Sequence, residues 1–227
     1  MRTRSLLILI TLAALALPVA ARADETLNRI ENCKAVLQGV LDLPEKGIPP
    51  ALLDNATAVA IVPDVVKLAF VVGGRHGSGV LLVREGDGGW SLPVFIQLSG
   101  GSLGWQIGAQ STDVVLVFKD RQRVDSLLKG QFTLGADASV AAGPVGRQAE
   151  AATNARMKAE IYSYARSRGI FAGVSLEGSK LAVDQDADQA FYGRPASDPH
   201  VVIDGKVSDV APEARELVDL LTSHTRE

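Results

Sequence analysis

The sequence predicts an α+β fold: an antiparallel sheet, barrel- or sandwich-like, with an N-terminal amphipathic helix and short peripheral helices. Three observations predict it. An apolar stripe at helical spacing occupies 27–40, short apolar runs separated by glycine-rich turns follow from 59 to 118, and helical spacing later returns only in short pieces. There is no regular strand–helix–strand alternation, which argues against a doubly wound sheet.

The first 23 residues read as a leader. Met1-Arg2-Thr3-Arg4 is a basic start, Leu6 to Leu17 is apolar apart from Thr11, and Ala21-Arg22-Ala23 is a small-x-small cleavage pattern. The apolar run is shorter than the roughly 20 residues a spanning helix needs. The expectation is therefore a signal peptide over 1–23, a mature chain from Asp24, and a periplasmic or secreted location. Removing Arg2, Arg4 and Arg22 leaves 20 basic against 26 acidic residues, a charge of −6. That sign disfavours nucleic acid, and none is expected as a partner. Cys33 is the one cysteine, so no disulfide forms within the chain. Its place in the apolar series Leu27, Ile30, Cys33, Leu37, Val40 predicts a buried thiol.

Glu25 to Leu41 is predicted to be the amphipathic helix, with Arg29, Glu31, Lys34 and Gln38 on its polar side. Pro49-Pro50 ends that region, and a short helix over 51–56 follows. Val59–Val62 and Leu68–Val72 read as separate short strands, with the Gly73–Gly79 cluster as a turn between strands. Gly79–Arg84 and Trp90–Ile96 form a hairpin around Glu85-Gly86-Asp87-Gly88-Gly89. Gly100–Gln110 reads as one bent strand and Val114–Phe118 as the next. Asp120 caps a helix to Leu128; 132–142 alternates; 149–157 has helical propensity. Glu160–Arg166 alternates and turns at Gly169 into Ile170–Val174. Helices are predicted at 184–191 and 212–223, with a linker over 195–203.

The motifs that carry chemistry are weak. His76, His200 and His224 share no ligand spacing, so no histidine metal site is predicted. Gly100-Gly101-Ser102-Leu103-Gly104 matches the nucleophile-elbow pattern, but a strand-like segment follows Ser102 where the elbow needs a helix. Asp184-Gln185-Asp186-Ala187-Asp188 opens like a calcium loop and fails at positions six (Gln189) and twelve (Pro195). Acids in a first helical turn explain it better. No catalytic residue, metal or cofactor is expected. The clusters Gly73–Gly79 and Gly143–Arg147 each set an arginine among glycines, a pattern that fits either an anion site or an ordinary turn.

Several motifs in fixed order resemble the SYLF domain family, of the exported bacterial type. They are Pro49-Pro50, Gly74-Arg75-x-Gly77-Ser78-Gly79-Val80, Gly89-Trp90-Ser91-x-Pro93, Ala142-Gly143-Pro144-x-Gly146-Arg147, Gly169-x-Phe171-Ala172-Gly173-Val174-Ser175-x-Glu177-Gly178 and Phe191-Tyr192-Gly193. The resemblance implies a SYLF domain over 24–194, with a linker and C-terminal helix over 195–227. It also implies lipid binding without catalysis, in relatives often through a lysine-rich N-terminal helix. Here that helix has only Arg29 and Lys34 as bases. The expected partner is a phospholipid or another envelope lipid bound by its headgroup, with envelope proteins second. Actin is not expected, given the predicted export. Charge and motif position mark Lys67, Arg75, Arg147, Arg166 and Arg168 as headgroup-binding candidates.

Overall fold

The apolar stripe of the first helix becomes a buried seam. The computed structural model describes residues 22, 24–43, 47–69, 72–103, 108–145, 159–167 and 170–225. Residues 1–21 and 23 of the predicted leader, the helix expected over 149–157, and Arg147 and Arg168 lie outside them. Helix α1 (24–41) buries Ile30, Cys33, Leu37 and Val40 completely or nearly so, with Thr26 and Val36 beside them. At about 1.5–3 kcal/mol for each large aliphatic side chain taken from water, this face drives the docking. α2 (Pro50–Asp54) follows the tandem proline, which supplies its first turn.

The sheet has nine strands: β1 (Ala58–Ala69), β2 (Val72–Val83), β3 (Val94–Leu103), β4 (Gly108–Phe118), β5 (Phe132–Thr133), β6 (Val140–Ala142), β7 (Ile161–Ser167), β8 (Ile170–Gly173) and β9 (Ser179–Val183). Eight run in the order β5-β9-β3-β2-β1-β4-β7-β6, and β8 pairs with β7. All pairings except β6–β7 are antiparallel. The sheet is an open, strongly curled half-barrel rather than a closed barrel or a sandwich. Helices α3 (Arg121–Leu128), α4 (Gln185–Tyr192), α5 (Pro199–Ile203) and α6 (Pro212–Thr222) sit around it. Asp120 and Asp184 cap α3 and α4 through their carboxylates. The stretch read as a linker forms a 3₁₀ turn, Arg194–Ser197, and α5, which bury Ala196, Val202 and Ile203.

Cross-strand register assigns the faces, because successive side chains alternate. Phe95, Val80, Ile61, Val115 and Tyr164 are paired in series and share the face that receives α1. The Cys33 thiol donates to the Ile61 carbonyl there, and the Arg29 guanidinium lies 5.4 Å from the Phe95 ring centre. Leu98, Leu181, Phe118 and Phe132 line the opposite face, where the Phe118 and Phe132 rings are 6.5 Å apart.

Two strand predictions differ from the structure. The runs at 59–62 and 68–72 are not separate strands joined by a turn: β1 continues through Pro63-Asp64 as a bulge, and the Gly73–Gly79 cluster is strand β2. At the bulge Asp64 takes a φ of 47° and its carboxylate accepts from the Ser111 hydroxyl at 2.8 Å. β1 carries one residue more than β2 between the Ile61–Val80 and Val66–His76 pairs, so it presses into β2 there. A Cβ on Gly79 would lie 2.0 Å from the Ile61 carbonyl, and one on Gly77 2.8 Å from Val62 and Val65. The segment Gly100–Gln110 is not one bent strand either. It holds the end of β3 and the start of β4, with 104–107 outside the described residues.

The bulge is expected to govern stability. Gly79→Ala should cost about 2–3 kcal/mol in urea denaturation, as overpacking against backbone does. Gly86→Ala, where an added Cβ meets nothing within 4 Å, should cost less than about 0.5 kcal/mol.

Candidate functional site

Lys67 and Arg75 are brought together by the β1–β2 register, in which they are direct cross-strand partners. Their face is the one opposite α1. Arg75 stands among glycines: Gly77 and Gly73 flank it on its own strand face, and Gly100 opposes it on β3. The guanidinium is half-buried, and its Nε has no hydrogen-bond partner among the described residues. Burial draws its pKa below the usual arginine range. Lys67 and Arg75 are thus adjacent in register, and the Val62 and Val65 side chains fill the space over Gly77 beside Arg75.

Arg166 is elsewhere. It pairs with Asp113 on β4, two strands from β2, and its register places it on the α1 face. Its guanidinium lies against Gly39 of α1, where an added Cβ would fall 1.8 Å from Nη1. Of the five candidates, then, Lys67 and Arg75 share one face and Arg166 braces the helix on the other. Arg147 and Arg168 lie outside the described residues.

The motifs weighed for catalysis resolve into architecture. Ser102 is a β3 strand residue paired with Gly73, and the next element is strand β4, so no elbow forms. His76, His200 and His224 are exposed on β2, on α5 and just beyond α6. Among the described residues no three metal-binding side chains converge. No described helix is long and apolar enough to cross a membrane.

The acids of the calcium-like motif form a latch instead. Asp184 accepts from Arg29 at 2.9 Å, with both side chains about nine-tenths buried, and from the Ala187 amide as the α4 cap. Burial alone would raise its pKa, but bonds from Gln97, Arg29 and the Ala187 N–H outweigh that and hold it below the usual carboxylate range. Asp188 is fully buried. One oxygen accepts from the Phe95 N–H at 2.9 Å, and the other has no partner. Desolvation pushes its pKa up to about 8, opposed by the Phe95 bond and helped by the neighbouring Asp184 charge. Tyr192 donates to the Pro93 carbonyl and packs with Phe191 and Phe95.

Two adjoining cavities, of about 300 and 380 Å³, lie between α1, the bulge and α4. They share Glu25, Arg29, His76 and Ser78. Arg29 is committed there to Glu25 and Asp184, which leaves that groove a poor anion site beside the Lys67–Arg75 face.

Sequence reasoning missed the latch and the burial of Ser179, which faces Gly100 across β3 and β9. The glycine-rich run at 100–104 was the available signal of close approach; Ser179 itself carried none.

The fold is that of an α+β domain built on a curled half-barrel sheet. Comparison with known proteins supplies its family. Residues 99–224 match the Ysc84 family model, described as Las17-binding protein actin regulator, and the chain belongs to this SYLF-domain family. It is 37% identical over 183 residues to the SH3 domain-containing YSC84-like protein 1 of Xenopus laevis, covering 80% of this chain and 54% of that protein. It is 39% identical over 179 residues to Protein YSC84 of Saccharomyces cerevisiae, covering 78% and 38%. LAS seventeen-binding protein 3 of the same yeast is 42% identical over 149 residues, covering 64% and 32%. The chain spans about half or less of the length of these relatives, whose names are those of binding proteins.

Two expectations are corrected by these relatives. Actin had been set aside as a partner, whereas the family description is that of an actin regulator. A periplasmic or secreted location had been read from the leader pattern, whereas these relatives come from frog and yeast and bear SH3-domain and Las17-binding names.

The latch sets a pH dependence. Asp188 has a folded pKa above its unfolded value of about 3.9, so its stabilising effect is fully present below about pH 4 and lost as pH rises through about 8. The melting temperature should fall by on the order of 10 °C between pH 5 and pH 9. In Asp188→Asn, which keeps an acceptor for the Phe95 N–H, thermal melts should show that slope flattened and higher stability at pH 9.

Proposed function

We propose that the chain is a non-catalytic binding module whose Lys67–Arg75 face engages anionic lipid headgroups. The observation that carries this reading is Arg75, a half-buried guanidinium with an unpartnered Nε, in register with a second cation and ringed by glycines. A desolvated guanidinium binds an oxyanion more strongly than a solvated one, because the local dielectric is lower and the fork suits phosphate geometry. The amphipathic helix does not supply the contact: its apolar face is already buried on the sheet and Arg29 is held by Asp184.

A second reading has its own support. The family description and one relative's name specify Las17 binding and actin regulation, which points to a protein partner of the actin-regulatory kind. The two readings are separated by sedimenting the full chain with vesicles and, independently, with actin filaments.

Salt-sensitive co-sedimentation with anionic but not zwitterionic vesicles is the expected result. Lys67→Ala and Arg75→Ala should each weaken it about fivefold, at roughly 1 kcal/mol per basic residue near an anionic surface. No sedimentation with any vesicle overturns the lipid reading; sedimentation with filaments alone transfers the function to the protein partner.

A further inference from the structure

Two buried polar atoms without partners lie in one cross-strand row. Arg75 of β2 is opposite Gly100 of β3, and Gly100 is opposite Ser179 of β9. Directly paired residues project to the same face, so the Arg75 and Ser179 side chains flank a position that has none. Ser179 is 1% exposed, and neither its Oγ nor the Arg75 Nε has a hydrogen-bond partner among the described residues. Buried donors without partners are rare and costly, because the desolvation of each is uncompensated. Two of them flanking one glycine call for an explanation.

The glycine leaves little slack. A Cβ at Gly100 would sit 3.1 Å from the Ser179 Cα and 3.2 Å from its Oγ, so the serine leans over the gap. The space over Gly77, by contrast, is filled by the Val62 and Val65 side chains. Lys67 is the next residue of the row, on β1. The Ser179 N–H donates to the Leu176 carbonyl, which leaves the Ser179 hydroxyl as the group free to bind. A guanidinium N–H and a hydroxyl on either side of Gly100 make a donor pair for a tetrahedral oxyanion.

We infer that Arg75, Gly100 and Ser179 form an oxyanion subsite for a phosphate ester, with Ser179 as a ligand-binding residue. The inference rests on the headgroup reading for its lipid source, but its chemistry is shared by a free phosphate, and the test separates the two.

The full chain is titrated by NMR with inorganic phosphate and with glycerol 1-phosphate, and sedimented with phosphatidic acid–phosphatidylcholine vesicles. Wild type, Ser179→Ala and Arg75→Met are compared, with thermal melts of each. Saturable phosphate-ester binding is expected, weakened about tenfold in Ser179→Ala through loss of one hydrogen bond to a charged group. The same variant should melt at an unchanged or higher temperature, since its hydroxyl has no partner to lose among the described residues. A purely structural serine would give the reverse pattern. Gly100→Ala should also weaken binding by filling the gap; Ser179→Ala keeps the test valid if that variant misfolds.

Equal affinity in wild type, Ser179→Ala and Arg75→Met, or no saturable binding by wild type, overturns the subsite. If vesicles sediment equally with wild type and Ser179→Ala, the subsite falls and the headgroup reading stands. If phosphate binding depends on Ser179 while no vesicle sediments, the subsite stands with a free phosphate ester as ligand, and the lipid reading falls.

Discussion

The burial of α1 on the sheet is the contact on which the rest of the molecule depends. A sheet must cover its apolar faces with a second layer, and here α1 covers Ile61, Val80, Phe95 and Val115. Three polar devices fix its position along the strands. Arg29 reaches Asp184 at the cap of α4, the Cys33 thiol finds the Ile61 carbonyl, and Arg166 lies against Gly39, where a side chain would collide with it. Lys34 pairs with Glu216 and so ties α6 to the same helix. A helix held in this way is part of the core, and the proposed headgroup contact is therefore assigned to the other side of the sheet.

That other side is shaped by the β1–β2 bulge. Two residues of β1 face one residue of β2, and only glycine at 77 and 79 lets the strands approach closely enough. The bulge resets the register below it, and the reset places Lys67 opposite Arg75. Without it the alternation of β1 would send Lys67 to the α1 face. One local irregularity therefore decides whether the two cations meet.

Much of the secondary structure was legible, because it rests on local rules. The α1 stripe, the 85–89 hairpin, and the Asp120 and Asp184 caps are all visible in short windows of sequence. The glycine cluster at 73–79 misled for a physical reason: glycine is unfavourable in strands, and only the unseen neighbour, β1, shows why it is needed. The candidate site was half legible. Charge and motif marked Lys67 and Arg75 individually, but their adjacency is a property of register. Arg166 carries the same charge and lies on the α1 face, against Gly39. Arg29 and Asp184 are 155 residues apart, and Ser179 acquires its interest only from Gly100 on another strand. The expectations about location and actin came from the leader pattern rather than from the fold, and the relatives overturn them.

The central claim is that the protein engages its partner surface with α1 still on the sheet, and the single cysteine reports on it directly. Cys33 is fully buried at the centre of that contact, and its thiol is pushed well above the usual range by burial. The rate of Cys33 modification by a thiol reagent, measured on the native chain with and without saturating anionic vesicles, distinguishes the cases. Protection unchanged by vesicles is the predicted result. A marked acceleration when vesicles bind would mean that the helix leaves the sheet for the bilayer, and would contradict the account.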